Sequence, residues 1–397
     1  CMLKFKKTDT MHVNIRRFCL ALVACLCMSG SVSAIVRNPM IWADVPDPDV
    51  IRVGEYYYMV TTTMHLMPGA PIMRSKDFSN WETIGYLFDR LTDSPKYDME
   101  DGTVYGRGQW ATSLRYHKGT FYALFAPNDN LGGDTYIMTA KDAAGPWKIH
   151  SRLRHFHDAS LFFDDDDRVY VIYGTGEMCE LTSDLQGVVP GSECRIFQRE
   201  ADETGLLEGS RFIKHDGKYY LLMISHVCQG TIVDGNDGKW YGVIFQDRGG
   251  VGRVLTYMPC RWIDGWPILG DEQGRVPDTM PQGGDEVRST HLVTSDDFSN
   301  DKLSLYWQWN HNPIDEAWSL TERPGFLRLK TNKIVSNVYA ARNTISQRME
   351  GPRCSASVTL DLRHMADGDR CGLAAFNGHS GLLTIVRDGK SYKLVQS

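Results

Sequence analysis

Three acidic residues occupy matching places in a repeating pattern. Asp47 lies in ADVPDPDV, Asp158 in HDASLF and Glu208 in LLEGS, and each comes shortly before a turn that leads into an aromatic and aliphatic run. A carboxyl group within an apolar segment is costly to bury unless it has a partner or a task. Two carboxyl groups held roughly 6.5–9.5 Å apart can protonate a leaving oxygen and activate a water, which is the chemistry of inverting glycoside hydrolysis. The shared placement therefore predicts a general acid and a general base among these residues.

Each acid also has a purely structural interpretation. Asp47, flanked by two prolines, could be a turn residue; Asp158 could cap a hairpin; and Glu208, before a glycine, could lie in an exposed loop. The aspartate run at 164–167 is more acidic than any of them. We interpret that run as a solvated turn and not as a site.

The strands that must position the three acids follow a repeated hairpin pattern. A turn residue precedes each aromatic and aliphatic run, which is a hairpin signal. The runs are GEYYYMV at 54–60, KGTFYALF at 118–125, DDRVYVIY at 166–173, DGKYYLLMI at 216–224 and DGKWYGVIF at 237–245. The first units are about fifty to sixty residues apart, which suits a four-stranded propeller blade. The periodicity predicts an all-β fold with a five-bladed β-propeller, in which acids on the innermost strands would meet in one pocket; a β-sandwich is the alternative arrangement.

The character of the sequence changes near residue 298. The segment DKLSLYWQWNHN at 301–312 and the alternating runs at 355–362 and 373–376 indicate a second all-β domain. About a hundred residues are few for a two-sheet sandwich, so we expect a partial, truncated sandwich. The predicted domains are a signal peptide at 1–34, a catalytic propeller at 35–297 and a partial β-sandwich at 298–397.

The first residues have the composition of a signal peptide. Arg16 and Arg17 precede an apolar run at 18–28, and SVSA at 31–34 is a small-residue cleavage pattern. The run is too short to span a bilayer as a helix. We expect an exported protein, periplasmic or extracellular. A lipid-anchored protein is the less favoured alternative, because LVAC at 22–25 resembles a lipobox.

The bulk composition excludes several function classes. With 42% hydrophobic and 23% charged residues the chain is globular, and its net charge of −6 with well-mixed signs offers no basic patch for nucleic acid. The 18 Tyr, 15 Phe and 10 Trp suit stacking on sugar rings, but also an ordinary β-sheet core. No Cys-x-x-Cys pair follows the signal segment, which argues against a zinc site. Cys179 and Cys194 could form a disulfide or remain free thiols.

The order of these motifs resembles glycoside hydrolase family 43. The matching segments run from PDPD at 46–49 through QWATSLRYHKGTFY, HDASLFFDDDDRVYVIYG and LEGSRFIKHDGKYYLL to VGRVLTYMPCRWIDGWPILG. The region from about 298 resembles the start of the concanavalin A-like sandwich of xylosidase-type members. The resemblance implies inverting removal of α-L-arabinofuranosyl or β-D-xylosyl units from plant polysaccharides, with a slight preference for arabinofuranosides. Some members instead act on galactan.

The resemblance also assigns roles to individual residues. Asp47 matches the general base, Glu208 the general acid, and Asp158 a third acid that orients Glu208 and tunes its pKa. Trp110 matches a tryptophan that shapes the sugar pocket, and Arg253 an arginine near the third acid and the sugar hydroxyls. A core tryptophan and a structural salt bridge are the alternative roles of these last two residues.

Further contacts and partners follow from the same resemblance. His226 and Gln229 match pocket contacts, whereas Ala159 and Ser210 stand where the family often has proline. The chemistry requires no organic cofactor and no catalytic metal. Some relatives hold a structural calcium ion near the propeller axis, and the sequence neither indicates nor excludes one. The expected partner is an oligo- or polysaccharide, with no nucleic acid and no membrane span.

Two functions other than hydrolysis of pentosides are compatible with a β-propeller. A carbohydrate-binding propeller without activity would be favoured by the loss of one acid, and all three acids are present. A fructan hydrolase would carry an Arg-Asp-Pro motif, which the sequence lacks. The enzyme interpretation is therefore preferred.

Overall fold

The structure is a computed structural model that describes residues 34–201, 207–224, 228–282 and 290–397. Nearly all of the predicted signal peptide, and His226, lie outside the described residues. The described chain is all-β, as predicted: it contains strands and short 3₁₀ helices, and no helix in it is long and apolar enough to cross a membrane. The 3₁₀ helices are Pro95–Asp98, Gly249–Val251, Asp315–Ala317 and Val338–Ala340.

Antiparallel sheets, here numbered 1 to 5, follow one another along the chain after strand β1 (Ala34–Arg37). Next come β2 (Asp49–Val53), β3 (Tyr56–Val60), β4 (Leu66–Met67), β5 (Gly69–Ser75) and β6 (Glu82–Phe88), of which β2, β3, β5 and β6 form sheet 1. Sheet 2 contains β7 (Gln109–His117), β8 (Thr120–Pro127), β9 (Asp134–Ala140) and β10 (Lys148–Arg154).

The next three sheets repeat this plan. Sheet 3 contains β11 (Ser160–Phe163), β12 (Val169–Tyr173), β13 (Glu177–Leu181) and β14 (Cys194–Arg195). Sheet 4 contains β15 (Glu208–His215) and β16 (Lys218–Ile224). Sheet 5 contains β17 (Gly230–Asp234), β18 (Trp240–Asp247), β19 (Arg253–Ile263) and β20 (Trp266–Leu269). In each sheet the strands are paired in chain order, so every sheet is a simple meander.

The first strands of the five sheets lie next to one another. Strand β2 lies beside β7, β7 beside β11, β11 beside β15, β15 beside β17, and β17 again beside β2. The core fills the spaces between neighbouring sheets, and each large aliphatic side chain buried there contributes about 1.5–3 kcal/mol. Residues that share one such core are Val50 and Val243 between sheets 1 and 5, Ile72 and Leu114 between sheets 1 and 2, and Leu124 and Val171 between sheets 2 and 3.

The predicted hairpin runs are confirmed as strands. Each run covers all or most of the second strand of one sheet, namely β3, β8, β12, β16 or β18. Gly54 (φ 61°) and Gly119 (φ 77°) occupy the turns before β3 and β8. This left-handed conformation costs glycine little, which explains why a turn residue marked each run.

The C-terminal region also forms strands and contacts sheet 1. Its strands are β21 (Thr279–Gln282), β22 (Gln308–Asn310), β23 (Trp318–Ser319), β24 (Arg328–Leu329), β25 (Ile345–Ser346), β26 (Arg370–Ala375), β27 (Gly381–Asp388) and β28 (Ser391–Gln396). Strand β21 pairs with β1, and β22 pairs with both β25 and β4. The predicted run at 373–376 lies largely in β26, but a strand at 355–362 is wrong. That run is mostly exposed and pairs with no described strand, and alternation alone does not stabilise an unpaired strand.

A disulfide between Cys179 and Cys194 is not formed. Cys194 on β14 lies opposite Met178 on β13, so Cys179 is one residue out of register. Because successive side chains in a strand point to opposite faces, the two thiols lie on different sides of sheet 3. All cysteines that the structure describes are free thiols.

Candidate active site

The three predicted acids lie at equivalent points of three sheets. Asp47 comes two residues before β2, Asp158 two residues before β11, and Glu208 is the first residue of β15. Asp47 and Asp158 have positive φ angles of 51° and 45°. Such a conformation costs a non-glycine residue on the order of 1–3 kcal/mol and is typical of functional sites. The carboxyl groups are thus directed by short, strained turns at the starts of first strands.

Asp47 is held from two sides by fixed hydrogen bonds. It is 6% exposed; Thr62 Oγ1 donates to its Oδ2 at 2.7 Å, and Arg253 Nη1 donates to its Oδ1 at 2.8 Å. Burial raises the pKa of Asp47, and the charge of Arg253 and the bond from Thr62 oppose that rise. Each carboxylate oxygen keeps a further lone pair, so Asp47 can still take a proton from a water. This arrangement suits a general base.

Asp158 and Glu208 form a second acidic group with His157. One side-chain ligand atom from each of the three lies within 4.8 Å of the others, and His157 Nε2 is 3.4 Å from Glu208 Oε2. Asp158 is 8% exposed, and burial raises its pKa to about 6. The charges of Asp47 and Glu208 add to that rise, and His157 opposes it. Asp158 is therefore close enough to Glu208 to tune it electrostatically.

The residues after Glu208 explain the departure from the family pattern. Ser210 Oγ lies 3.1 Å from the carbonyl oxygen of Asp158 and 2.9 Å from that of Ile172, so its hydroxyl ties β15 to sheet 3. Gly209 has φ 66°, and a Cβ there would come within 2.3 Å of Gln229 Nε2. The buried Gln229 thus packs directly beside the Glu208 turn, which places this predicted residue at the site.

Trp110 lies at the same site, as predicted. It is half-buried on β7, and its indole Nε1 donates to the carbonyl oxygen of Gly106 at 3.3 Å. The centre of its ring system is 6.4 Å from that of His157. An aromatic face fixed in this way can form one wall of a sugar pocket.

Arg253 reaches a different acid from the one expected. The resemblance places it near Asp158, but its guanidinium bonds to Asp47 and lies 4.8 Å from the ring centre of Phe245. Its backbone N–H donates to Asp44 Oδ1 at 2.7 Å. The physical reason for the correction is that β19 begins beside the 44–47 segment, so a side chain at its first residue meets Asp47. Arg253 is therefore both a salt bridge and a partner of the candidate base.

A buried ion network beneath the acids was not predicted. Asp49 Oδ2 is 2.7 Å from Arg115 Nη1, and Asp49 Oδ1 is 3.4 Å from Arg211 Nε. Arg211 is fully buried, and its Nη2 donates to the backbone carbonyl of Asp47 at 3.4 Å. The network joins first strands of sheets 1, 2 and 4 and supports the Asp47 turn. The sequence offered no distinct signal for it, because β15 (EGSRFIKH) also carries the charged residues Glu208 and Lys214.

The calcium ion that some relatives hold near the axis is not tested by the structure, because calcium also takes backbone carbonyl and water oxygens as ligands. Among the described His, Cys, Asp and Glu side chains, His157, Asp158 and Glu208 form a close group. The role of His226, which lies outside the described residues, stays a prediction.

Comparison with known proteins identifies the family. The family model described as glycosyl hydrolases family 43 matches residues 36–231, and that described as the β-xylosidase C-terminal concanavalin A-like domain matches residues 295–396. The β-xylosidase of Formosa agariphila is 28% identical, over 88% of this chain and 74% of the relative. Xylosidase/arabinosidase 43B of Humicola insolens is 33% identical, over 86% of this chain and 74% of the relative.

A solved structure agrees with both family matches. The bifunctional GH43-CE of Bacteroides eggerthii has a TM-score of 0.85 and 36% identity over 92% of this chain. The chain spans 52% of that protein, about half of its length. The chain therefore belongs to glycosyl hydrolase family 43 and is a glycoside hydrolase with a C-terminal concanavalin A-like domain.

Proposed function

We propose that this chain is an exported, inverting exo-glycosidase that removes α-L-arabinofuranosyl or β-D-xylosyl units from plant cell-wall polysaccharides. The observation that carries the proposal is the convergence of three carboxyl groups from three sheets. Asp47 and Glu208 act electrostatically on each other, and both raise the pKa of Asp158. Carboxyl groups that interact in this way, each on a separate strand, can lie on opposite sides of one glycosidic bond.

The proposed fold of the catalytic region is a five-bladed propeller. The closed order of the first strands, with β17 beside β2, supports it. So does the location of the core between successive sheets. In a propeller the starts of the innermost strands face a common axis, which is where Asp47, Asp158 and Glu208 lie along their sheets.

The proposed roles follow from the surroundings of each acid. Asp47, fixed by Arg253 and Thr62, takes a proton from the attacking water. Glu208, which is half-buried and accessible from the pocket side of His157, protonates the leaving oxygen. Asp158, which has a carboxylate oxygen within 4.8 Å of one of Glu208, orients that acid. One acid and one base on separate sheets are the requirement for inversion.

The sugar class is proposed from the motifs and from the relatives. Trp110 offers an aromatic wall, and Arg253 offers donors to sugar hydroxyls. The HLMPGAP and GGVGRV segments resemble exo-acting members. Relatives named β-xylosidase and xylosidase/arabinosidase support a terminal pentose as substrate. Export is supported by the charged, apolar and small-residue order of residues 16–34.

Nitrophenol release from the α-L-arabinofuranoside and the β-D-xylopyranoside, measured side by side, tests the proposal. Glu208→Gln should reduce kcat about 10²–10⁴-fold on a disaccharide that carries the cleaved terminal sugar, because a sugar leaving group needs the proton of the general acid. Glu180→Gln is the matched control: Glu180 is a half-buried glutamate on β13, paired with Arg168, and its substitution should leave activity unchanged. Proton NMR of the first product anomer should show inversion. A retained anomer, or no release from either glycoside, would contradict the proposal.

A further inference from the structure

His157 lies at the contact between the candidate acid and the sugar pocket, and the family resemblance gives it no role. Its Nε2 is 3.4 Å from Glu208 Oε2, and its ring centre is 6.4 Å from that of Trp110. The side chain is 34% exposed and that of Glu208 is 26% exposed. The imidazole can therefore exchange protons with solvent while it contacts the carboxyl group.

The ionisable groups around His157 are Glu208, Asp158 and His155. The hydrogen bond to Glu208 raises the pKa of His157, the charges of Asp158 and Glu208 add to that rise, and burial opposes it. The ring of His155 is 6.3 Å away, and burial followed by His157 lowers its pKa. His155 is thus neutral where His157 can be charged. When Glu208 is ionised, which is the state that follows proton donation, its charge favours a proton on His157, so a proton is then available directly beside the carboxylate.

We propose that His157 orients the carboxyl group of Glu208 and returns a proton to it after each turnover. This inference rests on the proposed function. Glu208 gives its proton to the leaving oxygen as the glycosidic bond breaks, and water adds to the sugar as Asp47 takes one of its protons. The Nε2 proton of the imidazolium then moves to the Glu208 carboxylate. His157 regains a proton from solvent, and Asp47 releases one, so the cycle is balanced.

The role makes a prediction that depends on the leaving group. A sugar alkoxide leaves only if it receives a proton, whereas nitrophenolate is stable enough to leave without one. A weakened proton supply at Glu208 should therefore slow cleavage of a disaccharide much more than cleavage of a nitrophenyl glycoside. A residue that merely packs the pocket would slow both substrates to a similar degree. His157 acts through Glu208, so it is a positioning residue.

The experiment compares His157→Gln and His157→Phe with His155→Gln on two substrates. The substrates are the nitrophenyl glycoside that the wild-type enzyme cleaves and a disaccharide with the same terminal sugar. We expect both His157 variants to lose about tenfold or more in kcat on the disaccharide, which is a fraction of the loss expected when the general acid itself is removed. On the nitrophenyl glycoside we expect only a few-fold loss in kcat. The Gln variant should keep a KM closer to wild type, because its amide can still bond to Glu208. His155→Gln should behave as wild type on both.

A second measurement does not depend on activity. Titration of His157 by NMR should show its pKa falling in Glu208→Gln, because the charged partner that raises it is removed. Equal losses of kcat on the two substrates, or an unchanged pKa of His157 in Glu208→Gln, would overturn this inference but would leave the proposed function intact. A wild-type enzyme inactive on every pentoside would instead overturn the proposed function, and the proton-return role with it.

Discussion

Asp49 and Asp158 are both buried aspartates near the start of a first strand, yet their charges are compensated very differently. Asp49 is 1% exposed; it accepts a hydrogen bond from the Leu114 N–H at 2.9 Å, and Arg115 and Arg211 pair with its two oxygens. Asp158 is 8% exposed, and no arginine or lysine in the described part of the chain pairs with its carboxyl group. Burial raises its pKa to about 6.

The difference distinguishes a structural aspartate, Asp49, from a candidate active-site aspartate, Asp158. An ion pair with good geometry and extra hydrogen bonds offsets the cost of desolvation, so Asp49 can remain charged inside the protein. An acid without such partners retains part of the desolvation cost of its charge, which raises its pKa. It therefore gains and loses its proton near neutral pH. Arg115 and Arg211 thus compensate Asp49 beneath the site, whereas Asp158 within the site lacks an arginine partner.

The largest expected effect comes from breaking the buried ion network of Asp49, Arg115 and Arg211. Arg211→Met should lower the free energy of unfolding by about 3–5 kcal/mol, because it removes one partner of a buried charge. Urea denaturation followed by tryptophan fluorescence measures the change. Arg195→Met is the control: Arg195 pairs with Glu177 but is 49% exposed, so its loss should cost at most about 1 kcal/mol. A similar loss of unfolding free energy in the two variants would show that the buried network does not stabilise the fold more than the exposed ion pair does.

A smaller effect of opposite sign is expected at Asp158. Asp158→Asn should raise the free energy of unfolding at pH 7 by about 1–3 kcal/mol, because the pKa of Asp158 is about 6 in the fold and 3.8 in the unfolded chain. A raised carboxyl pKa means that wild-type stability falls as pH rises from about 4 to 6. The gain should therefore be present at pH 7 and absent at pH 4, with loss of activity at both.

Asp49→Asn provides the comparison for that measurement. It should destabilise the protein at pH 7, since it leaves Arg211 and Arg115 buried without their anion. Thermal unfolding at the two pH values would resolve both changes. If Asp158→Asn were also destabilising at pH 7, the charge of Asp158 would be compensated after all.

Local features of the fold could be predicted from the sequence because they depend on neighbouring residues. Turn residues such as Gly54 and Gly119 need a particular φ angle, and the aromatic runs after them pair with the preceding strand. The register of Asp47, Asp158 and Glu208 relative to those runs is also local, so it placed them correctly at the first strands.

Contacts between sheets could not be predicted in this way. Arg253 and Asp47 are 206 residues apart in sequence, and Arg211 and the Asp47 carbonyl are 164 apart. Which arginine reaches which acid depends on how the sheets are arranged around one another, which spacing does not encode. The contact of His157 with Glu208, across 51 residues, was missed for the same reason.

Two buried histidines extend the comparison to basic groups. His65 Nδ1 accepts the Gly106 N–H at 3.1 Å, and His311 Nε2 accepts the Val104 N–H at 3.0 Å. Their ring centres are 5.0 Å apart, where the C-terminal region meets sheets 1 and 2. Burial lowers the pKa of His65 to about 3 and that of His311 to about 4, so both are neutral at pH 7. As for Asp158, burial is the largest cause of each shift in pKa.

The smallest expected effect is a pH dependence of stability that these histidines cause. As pH falls from 7 to 6 the unfolded chain binds protons near pH 6.5 and the folded protein does not, so each histidine should cost about 0.7 kcal/mol of unfolding free energy. In His65→Gln the fall between these pH values should be smaller by that amount, whatever the variant's stability at pH 7. Urea midpoints at pH 7 and 6 measure it, and the opposing contribution of Asp158 cancels because both proteins contain it. An unchanged fall would mean that His65 takes up protons in the fold as it does in the unfolded chain. A protonated Nδ1 cannot accept the Gly106 N–H, and the Gly106 carbonyl accepts the bond from Trp110, so acid would then loosen the backbone beside the pocket wall.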